Sequence, residues 1–107
     1  MIDAEILNRL SATLAERAKA DPKQSYVASL FAKGDDAILK KVAEETAETL
    51  LAAKSGDRLH LVREVADVWF HTLVLLVHHG LSAADVLAEL RRREGISGMD
   101  EKASRKA

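Results

Sequence analysis

Between Leu61 and Val77 the chain is apolar in almost every direction around a helical wheel: Leu61, Val62, Val65, Ala66, Val68, Trp69, Phe70 and then Leu73 through Val77. A helix that is hydrophobic on all sides is normally buried on all sides, so this segment forms the core of whatever the chain folds into. One narrow stripe breaks the pattern. His60, Glu64, Asp67, His71 and His78, spaced 4, 3, 4 and 7 residues apart, share a face. Two carboxylates about 4 Å apart repel by about 4 kcal/mol at an effective dielectric near 20, far more than the few tenths that an exposed helical ion pair returns. Acids in such a segment need a cation or a proton.

One proline, five glycines and no apolar alternation at period two leave almost no room for strands, so the fold class is all-α. A first helix starts near Asp3, carries Ile6, Leu7, Leu10 and Leu14 on one face and stops at Asp21-Pro22. A short helical turn runs from Ser25 to Ala32 before Gly34. A second long helix begins at Asp35 or Asp36 and ends at Ser55-Gly56, a glycine stop. Asp57 caps the apolar helix, which runs to about His79 and Gly80, and Ser82 with Asp85 forms an acidic capping box for a helix to about Arg93. Residues from about 94 to 107 are small and charged and read as a mobile or partner-bound tail. The whole chain, 1–107, is one domain. The tight turn at Gly56-Asp57 makes the two long helices a hairpin. Val65, Trp69, Leu73 and Leu76 cover more of the apolar helix than one hairpin can bury, which predicts a homodimer with a four-helix, bundle-like core.

Formal net charge is −1, so no global field favours nucleic acid or an anionic membrane, and phosphate recognition has to be local. The absence of cysteine excludes disulfides and thiolate metal sites. The longest apolar run, Leu73–Val77, is too short to span a bilayer, and the N-terminus is not a signal peptide, so a cytoplasmic address is expected.

A second acidic pair, Glu45-x-x-Glu48, lies on the preceding helix. There Leu39, Val42, Ala43, Ala47 and Leu50 read as the apolar face, with Lys40, Lys41, Glu44, Glu45 and Glu48 opposite. Alone, that stripe is a solvated face. Facing Glu64 and Asp67 on a buried partner, it predicts convergence of Glu45, Glu48, Glu64 and Asp67 on one metal. Ligation by carboxylates alone suits a hard cation such as Mg²⁺ or Mn²⁺. A diiron site is disfavoured, because no histidine follows any of these acids by three positions. His71 is placed to hydrogen-bond Asp67 or to be satisfied within the core. Lys40, Lys41, Arg91 and Arg92 are candidate phosphate donors, although an arginine run at a helix end also serves the helix dipole. No phosphate-binding glycine loop and no nucleophile elbow is present.

The pattern Glu44-Glu45-x-x-Glu48, fifteen intervening residues, then Glu64-x-x-Asp67 resembles the signature of the all-α nucleoside triphosphate pyrophosphohydrolases. Ser25-Tyr26-Val27, Leu30 to Gly34, Ile38 to Glu45, Ala52-Ala53-Lys54 and His71 to Leu76 narrow the likeness to the phosphoribosyl-ATP pyrophosphatase family. That resemblance implies hydrolysis of 1-(5-phosphoribosyl)-ATP to 1-(5-phosphoribosyl)-AMP and pyrophosphate, the second step of histidine biosynthesis, with Mg²⁺ required. It implies metal ligation by Glu45, Glu48, Glu64 and Asp67, a water oriented or deprotonated by Glu44, and phosphate contacts from Lys40 and Lys41, with Arg91 and Arg92 in support. Ala43 stands where the family often has glycine, and Trp69-Phe70 replace leucine-tyrosine. The length leaves no space for the cyclohydrolase domain fused to some relatives. Two rival readings are a housekeeping pyrophosphohydrolase acting on dCTP, dUTP or damaged nucleotides, and a non-enzymatic helical dimer acting as an adaptor.

Overall fold

The computed structural model describes residues 2–105, which form six α-helices and no strand. These are α1 (Glu5–Arg17), α2 (Tyr26–Lys33), α3 (Asp35–Ser55), α4 (Arg58–His78), α5 (Ala83–Arg93) and α6 (Gly98–Ser104). Local chemistry sets the boundaries. The Ser25 hydroxyl accepts the Ala28 N–H at the start of α2, the Asp57 carboxylate accepts the His60 N–H at the start of α4, and the Ser82–Asp85 box at α5 is complete. Gly56 ends α3 in the left-handed region at φ 81°, where a side chain would be strained.

Helices α3 and α4 have 21 residues each, about 31 Å at 1.5 Å per residue. Linked only by Gly56 and Asp57, they fold back on each other as the expected antiparallel hairpin. A 2.6 Å contact from His79 Nε2 to Asp35 Oδ1 ties the end opposite the turn. The core joins α1, α2, α3 and α4 to the start of α5 through Leu14, Val27, Leu30, Ile38, Leu73, Val74 and Ala83. The Ser11 hydroxyl donates to the Leu7 carbonyl and accepts the Ala83 N–H at 3.0 Å, a buried tie between α1 and α5.

Three features differ from the sequence reading. The packed seam of α3 is Ile38, Glu45 and Ala52, seven residues apart, whereas Leu39 and Leu50 of the expected apolar face are exposed. The hairpin turns the acids of α3 toward the acidic stripe of α4, and that register leaves leucines outside. Helix α4 is covered around Leu73 and Val74 but not around Leu59, Val62 and Trp69. The segment read as a tail contains α6, whose Glu101 is buried against arginines.

Candidate active site

Glu45 occupies the middle of the buried α3 seam, Glu48 follows one turn later, and Glu64 faces them from α4. One carboxylate oxygen from each lies within 4.8 Å of the others. Each of the two more buried acids has a basic neighbour on its own helix: Lys41 Nζ is 3.4 Å from Glu45 Oε1, and His60 Nε2 is 3.3 Å from Glu64 Oε1. Their second oxygens, Glu45 Oε2 and Glu64 Oε2, are buried without a hydrogen-bond partner. Leaving a buried acceptor unsatisfied costs about 1–3 kcal/mol, and more for a charged group. Two such oxygens beside a third carboxylate are the donor set that a hard, oxygen-seeking divalent cation takes.

Asp67, the fourth predicted ligand, stands outside that tight group, with an exposed side chain. Its main chain takes part instead: the carbonyl of Asp67 accepts from His71 Nδ1 at 2.9 Å. A carbonyl only accepts, so Nδ1 carries the proton, and Nε2 accepts the Tyr26 hydroxyl at 2.8 Å. His71 is buried, with both ring nitrogens satisfied. It fixes Tyr26 edge-on, ring centroids 5.8 Å apart. Sequence reasoning assigned Tyr26 no role. It is the only tyrosine, at the first position of a capped helix 45 residues before its partner, a separation that periodicity does not bridge. The Tyr26 phenol titrates above its ordinary range because of burial; Lys41 opposes the shift, and the charges of Glu45, Glu44 and Asp67 add to it. Lys41 also titrates high: burial works against its charge, but Tyr26, the hydrogen bond to Glu45, and Glu44 outweigh it. Tyr26 therefore belongs to the electrostatic neighbourhood of the acids.

Glu44 points to the lysines rather than to the acid trio, with Lys40 at 4.0 Å and Lys41 at 3.5 Å. These contacts are longer than the 2.7–2.9 Å of a charge-assisted hydrogen bond. Of the arginines, Arg91 has no carboxylate partner among the described residues. Arg92 forks onto Glu89 with two 2.9 Å bonds and reaches Glu101 at 2.5 Å. Arg93 bonds Glu89, and Arg105 bonds Glu101. Hydrogen bonds from Arg92 and Arg93 pull the Glu89 carboxyl down to about 2, and those from Arg92 and Arg105 lower that of Glu101. The structure thus commits Arg92 to docking α6 on α5.

Fold and site together define an all-helical protein whose central hairpin carries a cation-ready carboxylate centre beside paired lysines. Residues 7–94 match the family model Phosphoribosyl-ATP pyrophosphohydrolase, and the chain belongs to that family. It is similar to the phosphoribosyl-ATP pyrophosphatase of Azoarcus sp. (strain BH72), 70% identical over 106 residues, covering 99% of both chains. The protein of that name from Aromatoleum aromaticum is 70% identical over 98% of this chain and 97% of its own. The one from Neisseria gonorrhoeae is 57% identical over 94% of each.

Proposed function

We propose that the chain hydrolyses 1-(5-phosphoribosyl)-ATP to 1-(5-phosphoribosyl)-AMP and pyrophosphate, the second step of histidine biosynthesis, in the cytoplasm and with Mg²⁺ as cofactor. The observation that carries this reading, in a chain of that family, is the meeting of Glu45, Glu48 and Glu64 with two buried oxygens unpartnered. Those three residues would hold the ion, with Asp67 one turn beyond Glu64 as the fourth ligand. When bound, the ion neutralises triphosphate charge and makes water more acidic.

The chain's own residues supply the rest. Lys40 and Lys41 are loosely paired with Glu44 and can exchange that carboxylate for phosphate oxygens as the substrate enters. The exchange releases Glu44 to take the proton of a water that adds to one phosphorus of the α–β anhydride. The bridging oxygen then leaves with the other phosphorus. Arg91, free of carboxylates among the described residues, is a further phosphate donor; Arg92 would first have to give up Glu89 and Glu101.

We place the active unit in a homodimer. Leu59, Val62 and Trp69 on α4, together with Leu50 and Leu51 on α3, are each more than half exposed, and among the described residues nothing covers them. Neither rival reading explains the site as well: an adaptor has no use for buried unpartnered carboxylates, and the family resemblance of the whole chain is to one substrate's enzyme rather than to a general nucleotide scavenger. The deciding experiment is turnover of phosphoribosyl-ATP with and without Mg²⁺, with pyrophosphate release measured. Equal, slow hydrolysis of phosphoribosyl-ATP, dCTP and dUTP would refute the assignment.

A further inference from the structure

A cleft of about 340 Å³ opens between the C-terminal end of α1 and the N-terminal end of α2, with Arg17, Gln24, Tyr26 and Phe70 in its lining. Its size is at the lower end for small-ligand sites, about 300–1,000 Å³. None of the three meeting acids lines it. Tyr26 connects the two places: its ring borders the cleft, while its hydroxyl is held by His71 and its phenol is within electrostatic reach of Lys41, Glu45, Glu44 and Asp67. Arg17 is exposed and, like Arg58, Arg63 and Arg91, meets no carboxylate among the described residues, whereas Arg9, Arg92, Arg93 and Arg105 are paired; of the four free arginines it is the one that lines this cleft. An arginine in the last turn of a helix can act on the helix dipole alone, but that role needs neither a cleft nor an adjoining amide.

We infer that this cleft receives the N1-phosphoribosyl arm of the substrate, with Arg17 binding its 5′-phosphate and the aromatic edges of Tyr26 and Phe70 flanking its ribose. The inference rests on the proposed function. Phosphoribosyl-ATP carries phosphate at both ends. The triphosphate end belongs at the acids and lysines, so the monophosphate needs a separate cation on the far side of the nucleoside. Arg17 is the unpaired cation in a cleft that shares a wall with the acid site. A planar guanidinium suits a terminal phosphate, which it can bind bidentately, and the Gln24 amide can donate to sugar hydroxyls. His71 acts through Tyr26: by holding the hydroxyl, it keeps the shared wall in place.

The test compares the parent protein, Arg17→Ala and Arg17→Lys in two assays. In the first, steady-state turnover of phosphoribosyl-ATP, Arg17→Ala should raise KM by about tenfold to a hundredfold, the range of a lost charge-assisted phosphate contact, and change kcat by less than about threefold. Arg17→Lys should recover part of the loss. In the second, calorimetric binding without turnover, the parent should bind phosphoribosyl-AMP more tightly than AMP, and Arg17→Ala should erase that preference. A parental KM and undiminished preference in Arg17→Ala, or a parent that binds the two nucleotides equally, overturns the inference. So does a fall in kcat with unchanged KM. A parent that fails to turn over phosphoribosyl-ATP overturns the proposed function instead, and the binding comparison still decides whether the cleft reads the arm.

Discussion

Glu64→Gln separates a cation centre from a solvated acidic face, and the expected magnitude follows from the geometry. Glu64 has an oxygen within 4.8 Å of oxygens of both Glu45 and Glu48. At an effective dielectric near 20, a repulsion across that distance is about 3.5 kcal/mol, and in bulk water about 0.9 kcal/mol. The first value applies to buried Glu45 and the second to exposed Glu48. Lys41, 3.4 Å from Glu45, offsets part of the repulsion between Glu64 and Glu45, and the lost His60 contact subtracts up to about 1 kcal/mol. A net relief of about 1–2 kcal/mol is expected in the metal-free protein. For a domain of this size that is a rise in Tm of about 4–16 °C, at about 4–8 °C per kcal/mol. With Mg²⁺ the order reverses. The parent gains about 2.7 kcal/mol at a hundredfold excess over Kd, because the ion binds only the folded state. The variant, short of one ligand, gains far less. Circular-dichroism melts in EDTA and in Mg²⁺ measure both effects. If Glu64→Gln melts at or below the parent in EDTA and both respond equally to Mg²⁺, the three acids are not a cation site.

Glu48→Gln and Asp67→Asn should each remove most turnover with helix content intact; near-parental activity in Asp67→Asn alone would leave the centre with the three acids that meet in the structure. The docking of α6 should be acid-sensitive. Glu101, which bonds Arg92 across the α5–α6 contact, titrates below the ordinary carboxylate range, so its contribution is complete above that range and is lost as pH falls through the lowered value. Amide exchange at Gly98–Ser104, corrected for intrinsic rates, should accelerate as pH falls below the ordinary carboxylate range, before α3 and α4 lose protection; protection in α6 that outlasts that of α3 and α4 on acidification would contradict this. Trp69→Glu should turn a sedimenting dimer into a monomer at micromolar concentration, and a parent that is already monomeric would remove the dimer.

Helices α2 to α5 were legible in the sequence through local chemistry, with Ser25, Asp57 and Ser82 as caps and Gly56 as a stop, whereas α6 was read as a tail although Ser97 caps it. Which face of α3 packs was not legible. Leu39, Ala43 and Leu50 have the greater hydrophobicity, and a wheel drawn for α3 alone turns them inward. Packing answers to both helices of the hairpin at once, and α4 presents its Glu64 side, so Ile38, Glu45 and Ala52 form the seam. Convergence of Glu45, Glu48 and Glu64 was legible because it needs only helical spacing and a short turn. The Tyr26–His71 bond was not, since it depends on how α2 lies across α4.

Burial of Glu45 in that seam links stability to function. A heptad-spaced position between Ile38 and Ala52 would stabilise an ordinary hairpin most if it were apolar, since burying a large aliphatic side chain contributes about 1.5–3 kcal/mol. The chain places there a carboxylate that is 7% exposed, balanced on one oxygen by Lys41 and left open on the other. The open oxygens of Glu45 and Glu64, set beside Glu48, suit a hard divalent cation supplied from outside the chain. The exposed leucines of α3 follow from the same orientation. Turning the acids inward obliges Leu39 and Leu50 to face outward, where a second chain can cover them. The acidic cluster and the proposed dimer surface are thus two sides of one rotation of one helix.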